Sequence, residues 1–335
     1  MVSIKRVLLP QPIEKEAISL LEAANLAVVI APDKKVEIVA PLLKGVQAVI
    51  LRTGILFSKE LMGHADDLWV VSRTGAGVDN VDVPAATERG VLVTCVPGAN
   101  TYSVVEHALA LIFALAKQLR LMDREVRRDN FGIRFKNLPC DLREKTLGVV
   151  GLGRIGTELA RICHQAFGMS ILAHDPYLTP EVRAAFQGWI SFCDMERLFR
   201  ASDVISIHIP LLPSTQKLIG ARELGWMKSD AFLVNTSRGG VLDEEALIQC
   251  LREKRIAGAG LDVFAEEPLK KDNPLKEMDN VILTPHTAAL TRECVIRLAT
   301  EAANAVIDVR HGKRPQGIVN PEVLAQPRWQ GFPSS

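Results

Sequence analysis

Thr146-Leu147-Gly148-Val149-Val150-Gly151-Leu152-Gly153-Arg154-Ile155-Gly156 is the stretch that decides the fold. Its apolar start, Leu147 to Val150, has the unbroken hydrophobicity of a strand buried on both faces. Gly151, Gly153 and Gly156 then turn the chain into a segment whose apolar residues, Ile155, Leu159 and Ile162, fall at helical spacing. A second apolar stretch, Ile171 to Ala173, leads to Asp175, 19 residues after Gly156. Strand, glycine turn, helix, strand and acid in that order form a dinucleotide-binding unit. One glycine makes the tight turn, one admits the pyrophosphate, and one lets helix and strand pack closely. The phosphates are expected on the free N–H groups where Arg154 and Ile155 start the helix. Asp175 is expected to accept from the adenosine ribose hydroxyls, and its charge repels a 2′-phosphate, so the cofactor expected is NAD. Taken without its flanks, the glycine motif has a plainer reading as a tight turn.

Outward from this unit the chain alternates strands and helices. Before it, strands are expected at Arg6–Leu9, Ala27–Ile30, Ala48–Leu51, Trp69–Ser72 and Val91–Cys95, with helices at Glu14–Ala24, Lys35–Leu43 and Ser58–Gly63. A long Ala/Leu-rich helix is expected over Thr101–Arg120, followed by a charged, less periodic stretch to Glu144. After the unit, strands are expected at Val204–Ile209, Ala231–Asn235, Ala257–Leu261 and Val281–Thr284. Helices are expected at Met195–Ala201, Ala221–Met227, Asp243–Lys254 and Thr291–Val309. This is an α/β chain with parallel sheets. Because the nucleotide unit starts late, the order suggests one domain inserted in another, with the last helix returning to the first domain.

Composition narrows the classes of partner. At 335 residues the chain exceeds a single core, and 48% hydrophobic content can fill two. A net charge of +1 with scattered Lys and Arg offers no field for nucleic acid. The N-terminal apolar run is too short for a signal peptide, and none approaches the roughly 18 apolar residues of a membrane span. The six cysteines (95, 140, 163, 193, 250 and 294) lie far apart with no CxxC pair, the pattern of free thiols in a reducing, cytoplasmic compartment.

Three segments place polar residues just past strands, where ligands bind in α/β sheets. They are Asn235-Thr236-Ser237-Arg238-Gly239-Gly240, Asp262-Val263-Phe264-Ala265-Glu266-Glu267-Pro268 and Thr284-Pro285-His286-Thr287-Ala288. Singly, Arg238 reads equally as a surface charge, Glu267 as loop polarity and His286 as a satisfied core histidine. Together they supply what oxidation of an alcohol requires. A cation holds a carboxylate or polarises a carbonyl, an imidazole exchanges the hydroxyl proton, and a carboxylate orients that imidazole.

With these segments, Thr74-Gly75-Ala76-Gly77-Val78-Asp79-Asn80-Val81-Asp82 and Pro97-Gly98-Ala99-Asn100-Thr101-Tyr102-Ser103-Val104-Val105-Glu106-His107, the chain resembles the D-isomer-specific 2-hydroxyacid dehydrogenases over nearly its whole length. The resemblance implies a Rossmann NAD-binding domain at 100–287. It would be inserted in a smaller flavodoxin-like substrate-binding domain, 1–99 completed by 288–335, with the active site between them. It implies Arg238, Glu267 and His286 as the catalytic set, with Glu267 rather than Glu266 pairing with the histidine. Arg238 would grip a 2-oxo acid and protonated His286 would give a proton to its oxygen as hydride reaches C2.

The same resemblance places the substrate carboxylate on the N–H groups of Ala76 and Gly77, and Asn100 near the substrate. Asp262 would bond the nicotinamide amide, while His208, Pro210, Thr215 and Thr236 would line the cofactor. Asp79, Asn80 and Asp82 are read as turn formers, so no metal is expected. Glu106 and His107 are read as structural. Arg52, just past the Ala48–Leu51 strand, matches an arginine of phosphoglycerate dehydrogenases that touches substrate, although a surface ion pair fits it as well.

The substrate expected is a small 2-hydroxy or 2-oxo acid, 3-phosphoglycerate among them, with hydroxypyruvate or glyoxylate as the alternative. The chain stops after the last helix, so a regulatory domain of the kind found in long phosphoglycerate dehydrogenases is not expected. A formate dehydrogenase is disfavoured because those relatives carry glutamine in place of the glutamate. An NAD-binding corepressor or sensor that kept the fold is the alternative of a different class. Relatives pair through the nucleotide domain, and a homodimer is expected through Ala108, Leu109, Leu111, Ile112, Ala114 and Leu115.

Overall fold

A computed structural model describes residues 3–333. Contacts divide the chain into two compact units, residues 1–100 with 290–335, and residues 101–289.

In the first unit the elements run β1 (Arg6–Leu9), α1 (Lys15–Ala23), β2 (Ala27–Ile30), α2 (Val36–Leu42), β3 (Ala48–Leu51), α3 (Lys59–Met62), β4 (Val70–Arg73), α4 (Val83–Glu88) and β5 (Leu92–Thr94). The five strands are parallel in the order β2-β1-β3-β4-β5, the flavodoxin-like order. The central strand β3 is buried at every position, as a strand covered by helices on both faces must be. The short helix α4 has no counterpart in the expectations. Asp82 caps it by accepting from Ala85 N–H at 3.0 Å, and Pro84 sits in its first turn.

The second unit opens with α5 (Thr101–Ala116) and α6 (Leu119–Val126), then β6 (Thr146–Val150), α7 (Arg154–Phe167), β7 (Ser170–His174), α8 (Pro180–Ala184) and β8 (Ile190–Phe192). It continues with α9 (Met195–Ala201), β9 (Val204–Ile207), α10 (Ala221–Gly225), β10 (Phe232–Asn235), α11 (Glu244–Arg252), β11 (Gly258–Leu261) and β12 (Val281–Leu283). Its seven parallel strands lie in the order β12-β11-β10-β9-β6-β7-β8. Counted from β6, this is the doubly wound Rossmann order with one strand added, so the strand order reverses between β6 and β9. The last helix, α12 (Arg292–Arg310), belongs to the first unit. The buried Ser72 hydroxyl donates to its Ala302 carbonyl at 3.0 Å.

Two expectations about the long helix are corrected. The expected Thr101–Arg120 helix is broken at Gln118, which takes a left-handed φ of 50°, and α6 leaves in a new direction. Four of the six residues of the Ala/Leu face assigned to a second copy are not free. Ala108, Leu111, Ile112 and Leu115 are buried in the core of their own unit, among Val149, Leu159 and Val234. Leu109 and Ala114 are half-buried, and the helix keeps Tyr102, Glu106 and Ala110 exposed. The exposed apolar residues come later, at Leu119, Val126, Phe131, Phe135 and Leu138. No helix among the described residues is long and apolar enough to cross a membrane. All six cysteines are unpaired.

Candidate active site

The glycine turn lies where the second unit's strand order reverses, and its three glycines differ in what surrounds them. Gly151 has φ 91°, and a Cβ there would meet the His208 carbonyl oxygen at 2.8 Å. The turn is thus pressed against the end of β9, which a side chain would forbid. A Cβ on Gly156 would lie 2.1 Å from the Gly151 carbonyl oxygen, so α7 can pack this close only with glycine there. A Cβ on Gly153 would meet nothing within 4 Å. Gly153 is also the N-cap of α7 and provides no side-chain cap, and the exposed Arg154 and half-buried Ile155 follow it. Uncapped N–H groups and the positive end of the helix dipole face open space, which suits a pyrophosphate.

Asp175 ends the next strand. One carboxylate oxygen accepts from Leu152 N–H at 2.9 Å and the other from Tyr177 N–H at 3.0 Å. The acid is therefore fixed beside the glycine turn. His208 holds Ser206 Oγ at 2.8 Å, and burial of the imidazole pushes its pKa down to about 4, so a neutral ring flanks the turn at neutral pH. Pro210 is exposed. Thr215 folds its own loop, donating to the Pro210 carbonyl and accepting from Leu212 N–H, each at 2.7 Å. Thr236 Oγ1 is buried without a hydrogen-bond partner among the described residues, a polar atom that a bound group could satisfy. The open cradle at Gly153, the uncapped helix and the fixed acid together fit an NAD molecule.

The three catalytic candidates sit on neighbouring loops past β10, β11 and β12. His286 Nδ1 lies 2.8 Å from Glu267 Oε2, while Glu267 Oε1 accepts from Phe264 N–H at 3.0 Å. Glu267, not Glu266, is the partner; Glu266 pairs with Lys270 at 2.8 Å. Partial burial by itself raises the Glu267 pKa. The hydrogen bonds from His286 and Phe264, with the charges of His286 and Arg238, outweigh that and hold it below the ordinary carboxylate value.

The loop geometry comes from residues that sequence reading did not single out. Asn235, fully buried at the end of β10, donates to the Arg238 carbonyl at 2.9 Å and accepts from Ser237 N–H and Oγ, closing the turn that presents Arg238. A Cβ on Gly239 would lie 1.9 Å from the Phe264 carbonyl carbon and oxygen. Only glycine lets the Arg238 turn touch the loop that carries Glu267. Both residues were visible in the segment Asn235–Gly240, but the task of Gly239 depends on a contact with a loop some 25 residues on.

Within the protein Asp262 has a structural task. Its side chain is fully buried and accepts from the Thr284 hydroxyl at 2.6 Å and from the N–H groups of Thr287 and Ala288 at 2.9 Å. His107 also meets Thr284 Oγ1, at 2.9 Å. Asp262 therefore fastens the loop that carries His286, and its carbonyl accepts from His286 N–H at 2.8 Å. These bonds hold His286 at a left-handed φ of 54°. Few residues other than glycine take that region, and histidine is among the more tolerant.

The remaining candidates belong to the first unit. Ala76 is exposed and Gly77 half-buried in the loop past β4, and neither N–H has a hydrogen-bond partner among the described residues. Arg73 and Asn80 brace that loop, with Arg73 Nε donating to Asn80 Oδ1 at 2.8 Å. Arg52 is paired with Glu14 at 3.0 Å. Asn100 is half-buried and immediately precedes α5.

With this geometry established, residues 109–288 match the family described as D-isomer specific 2-hydroxyacid dehydrogenase, NAD binding domain. The chain belongs to the D-isomer-specific 2-hydroxyacid dehydrogenase family, and its second unit carries the family's NAD-binding domain. It is 37% identical over 315 residues to a D-3-phosphoglycerate dehydrogenase of Archaeoglobus fulgidus, covering 94% of this chain but 59% of the relative. It thus spans about three-fifths of the length of that protein. It is 41% identical over 280 residues to a glyoxylate reductase of Aeropyrum pernix, covering 82% of each. Among solved structures it is similar to a D-lactate dehydrogenase from Aquifex aeolicus complexed with NAD and lactic acid. The TM-score is 0.82 at 27% identity, over 94% of this chain and 99% of that one.

Proposed function

We propose that this chain is an NAD-dependent dehydrogenase interconverting a D-2-hydroxy acid and its 2-oxo acid. The observation that carries the reading is the 2.8 Å pair of His286 and Glu267, in the same unit as the glycine cradle and with Arg238 close enough to bias Glu267. When bound, NAD supplies or accepts the hydride at C2. Arg238 holds the carboxylate and carbonyl of the acid through its guanidinium fork. His286 presents Nε2 to the substrate oxygen, because Nδ1 is committed to Glu267. In reduction it gives that oxygen a proton, and in oxidation it takes one back. Glu267 balances the charge of the imidazolium and fixes the direction of the ring. In the first unit, the free N–H groups of Ala76 and Gly77 suit a carboxylate.

A small unphosphorylated acid such as glyoxylate or hydroxypyruvate is the preferred substrate class, with 3-phosphoglycerate as the competitor. One observation supports this order: Arg52, which would distinguish a phosphorylated acid, is spent on Glu14. The working form is a homodimer in the cytoplasm. The exposed run Leu119, Val126, Phe131, Phe135 and Leu138 is the apolar surface a second copy would cover, and six unpaired thiols suit a reducing compartment.

The test is to mix protein, NADH and a panel of 2-oxo acids and follow absorbance. Turnover on glyoxylate or hydroxypyruvate is expected. Turnover on 3-phosphohydroxypyruvate alone would reverse the substrate order. NADH binding with no turnover on any acid would favour the sensor reading. A monomer mass by light scattering at micromolar concentration would remove the dimer.

A further inference from the structure

A second histidine stands near the His286 loop and has no part in the reaction as described. His107 lies in the second turn of α5, within the same unit. Its Nε2 is 2.9 Å from Thr284 Oγ1 and 3.5 Å from Asp262 Oδ1. Among the described residues it is the only ionisable side chain within ion-pair distance of Asp262, whose own side chain is fully buried. The Thr284 hydroxyl has one proton to give, and a carboxylate can only accept. That proton goes to Asp262 Oδ1, at 2.6 Å. Thr284 Oγ1 must then accept from His107, so Nε2 of His107 carries a proton.

The relay reaches the catalytic loop at its main chain. The Asp262 carboxylate takes the N–H groups of Thr287 and Ala288, and the Asp262 carbonyl takes that of His286. Three consecutive N–H groups thus depend on one residue, and His107 holds that residue's side chain in place through Thr284. A left-handed φ of 54° at a non-glycine residue persists only where its surroundings over-determine it. Glu267 fixes the ring of His286, and the relay fixes the backbone from which that ring projects. We propose that His107 is a positioning residue for the reaction, acting through Thr284 and Asp262 on the direction of the His286 imidazole. Its contribution falls on kcat, because it alters how the proton carrier is aimed and not how the acid or the cofactor is held.

The inference rests on the proposed dehydrogenase reading, and two readouts in the full chain let the two fail separately. One is steady-state reduction of glyoxylate by NADH, and the other is amide hydrogen exchange over residues 284–288 without substrate. His107→Leu removes the donor at similar volume. It should lower kcat about three- to tenfold, the worth of one net hydrogen bond, and speed exchange by a similar factor. KM for glyoxylate and NADH affinity should stay within about twofold. His107→Gln, whose amide can donate to Thr284, should recover most of both losses. Thr284→Val should reproduce the loss without touching α5, and the double variant His107→Leu/Thr284→Val should lose no more than either single one. Unchanged kcat and exchange in His107→Leu would overturn the proposal, as would equal losses in the leucine and glutamine variants. Losses that add in the double variant, or a change confined to NADH affinity, would overturn it too. Wild type that reduces no 2-oxo acid would sink the reaction instead, and exchange in the same variants would still decide the relay.

Discussion

The two units solve the same topological problem and end differently. Each is a parallel sheet wound in both directions, with a crevice where the strand order reverses, between β1 and β3 in the first and between β6 and β9 in the second. Past β6 come Gly151, Gly153 and Gly156, an uncapped helix start and an open cradle. Past β1 come Pro10, Gln11 and Pro12, and the cation past β3, Arg52, is neutralised by Glu14 at 3.0 Å. Topology makes a crevice in both, and the residues of the loops decide which one receives a nucleotide.

The most damaging way to break that difference is Gly239→Ala. A methyl 1.9 Å from the Phe264 carbonyl must push apart the loops that carry Arg238 and Glu267. Overpacking of this kind costs about 1–3 kcal/mol. Thermal melts should show that loss, and turnover should fall below detection. A wild-type melting temperature would mean the two loops are not in contact. Next comes His286→Ala, which should lower turnover in both directions by roughly 10²–10⁴-fold, the usual share of a general acid–base. NADH affinity measured by fluorescence should barely change.

Glu267→Gln should cost less, about 10–100-fold in kcat, since it weakens a charge-assisted hydrogen bond rather than removing the proton carrier. Its pH signature is specific. The folded pKa of Glu267 is depressed, so its stabilising contribution is fully present above the ordinary carboxylate value of about 4.3 and is lost as pH falls through the depressed value. The gap in melting temperature between wild type and Glu267→Gln should therefore be constant at neutral pH and close in acid. A gap that persists at the lowest pH would mean the carboxylate does not support the fold through its charge. The smallest effect belongs to the first unit. Arg52→Ala breaks a partly exposed pair, worth at most about 1 kcal/mol. It should leave turnover of glyoxylate within about threefold, and a loss of more than tenfold would place Arg52 against the substrate.

How legible these features were in the sequence follows from how local their causes are. The buried strands β1, β3 and β6 are continuous apolar runs, and the glycine turn with Asp175 carries its own spacing. The edge strand β8 was overlooked because Ser191 interrupts its three residues and only one face is covered. Helix α4 had a readable signal, Asp82 followed by Pro84, but Asp82 was read as a turn former. The break at Gln118 had none, since neither glycine nor proline marks it. Within the site, His286 and Glu267 could be paired by resemblance. The saturation of Asp262 by Thr284, Thr287 and Ala288, and the contact of Gly239 with Phe264, arise only when separate loops meet.

The central claim is that His286, oriented by Glu267, moves the proton of a 2-hydroxy acid redox reaction. Its most direct test is the reduction of glyoxylate by NADH in wild type and His286→Ala, measured across pH at saturating cofactor. Wild-type turnover should fall as pH rises and the acid form of the base is lost, and the variant should be slow and without that limb. An equal rate in the two proteins, or the same alkaline limb in the variant, would contradict it.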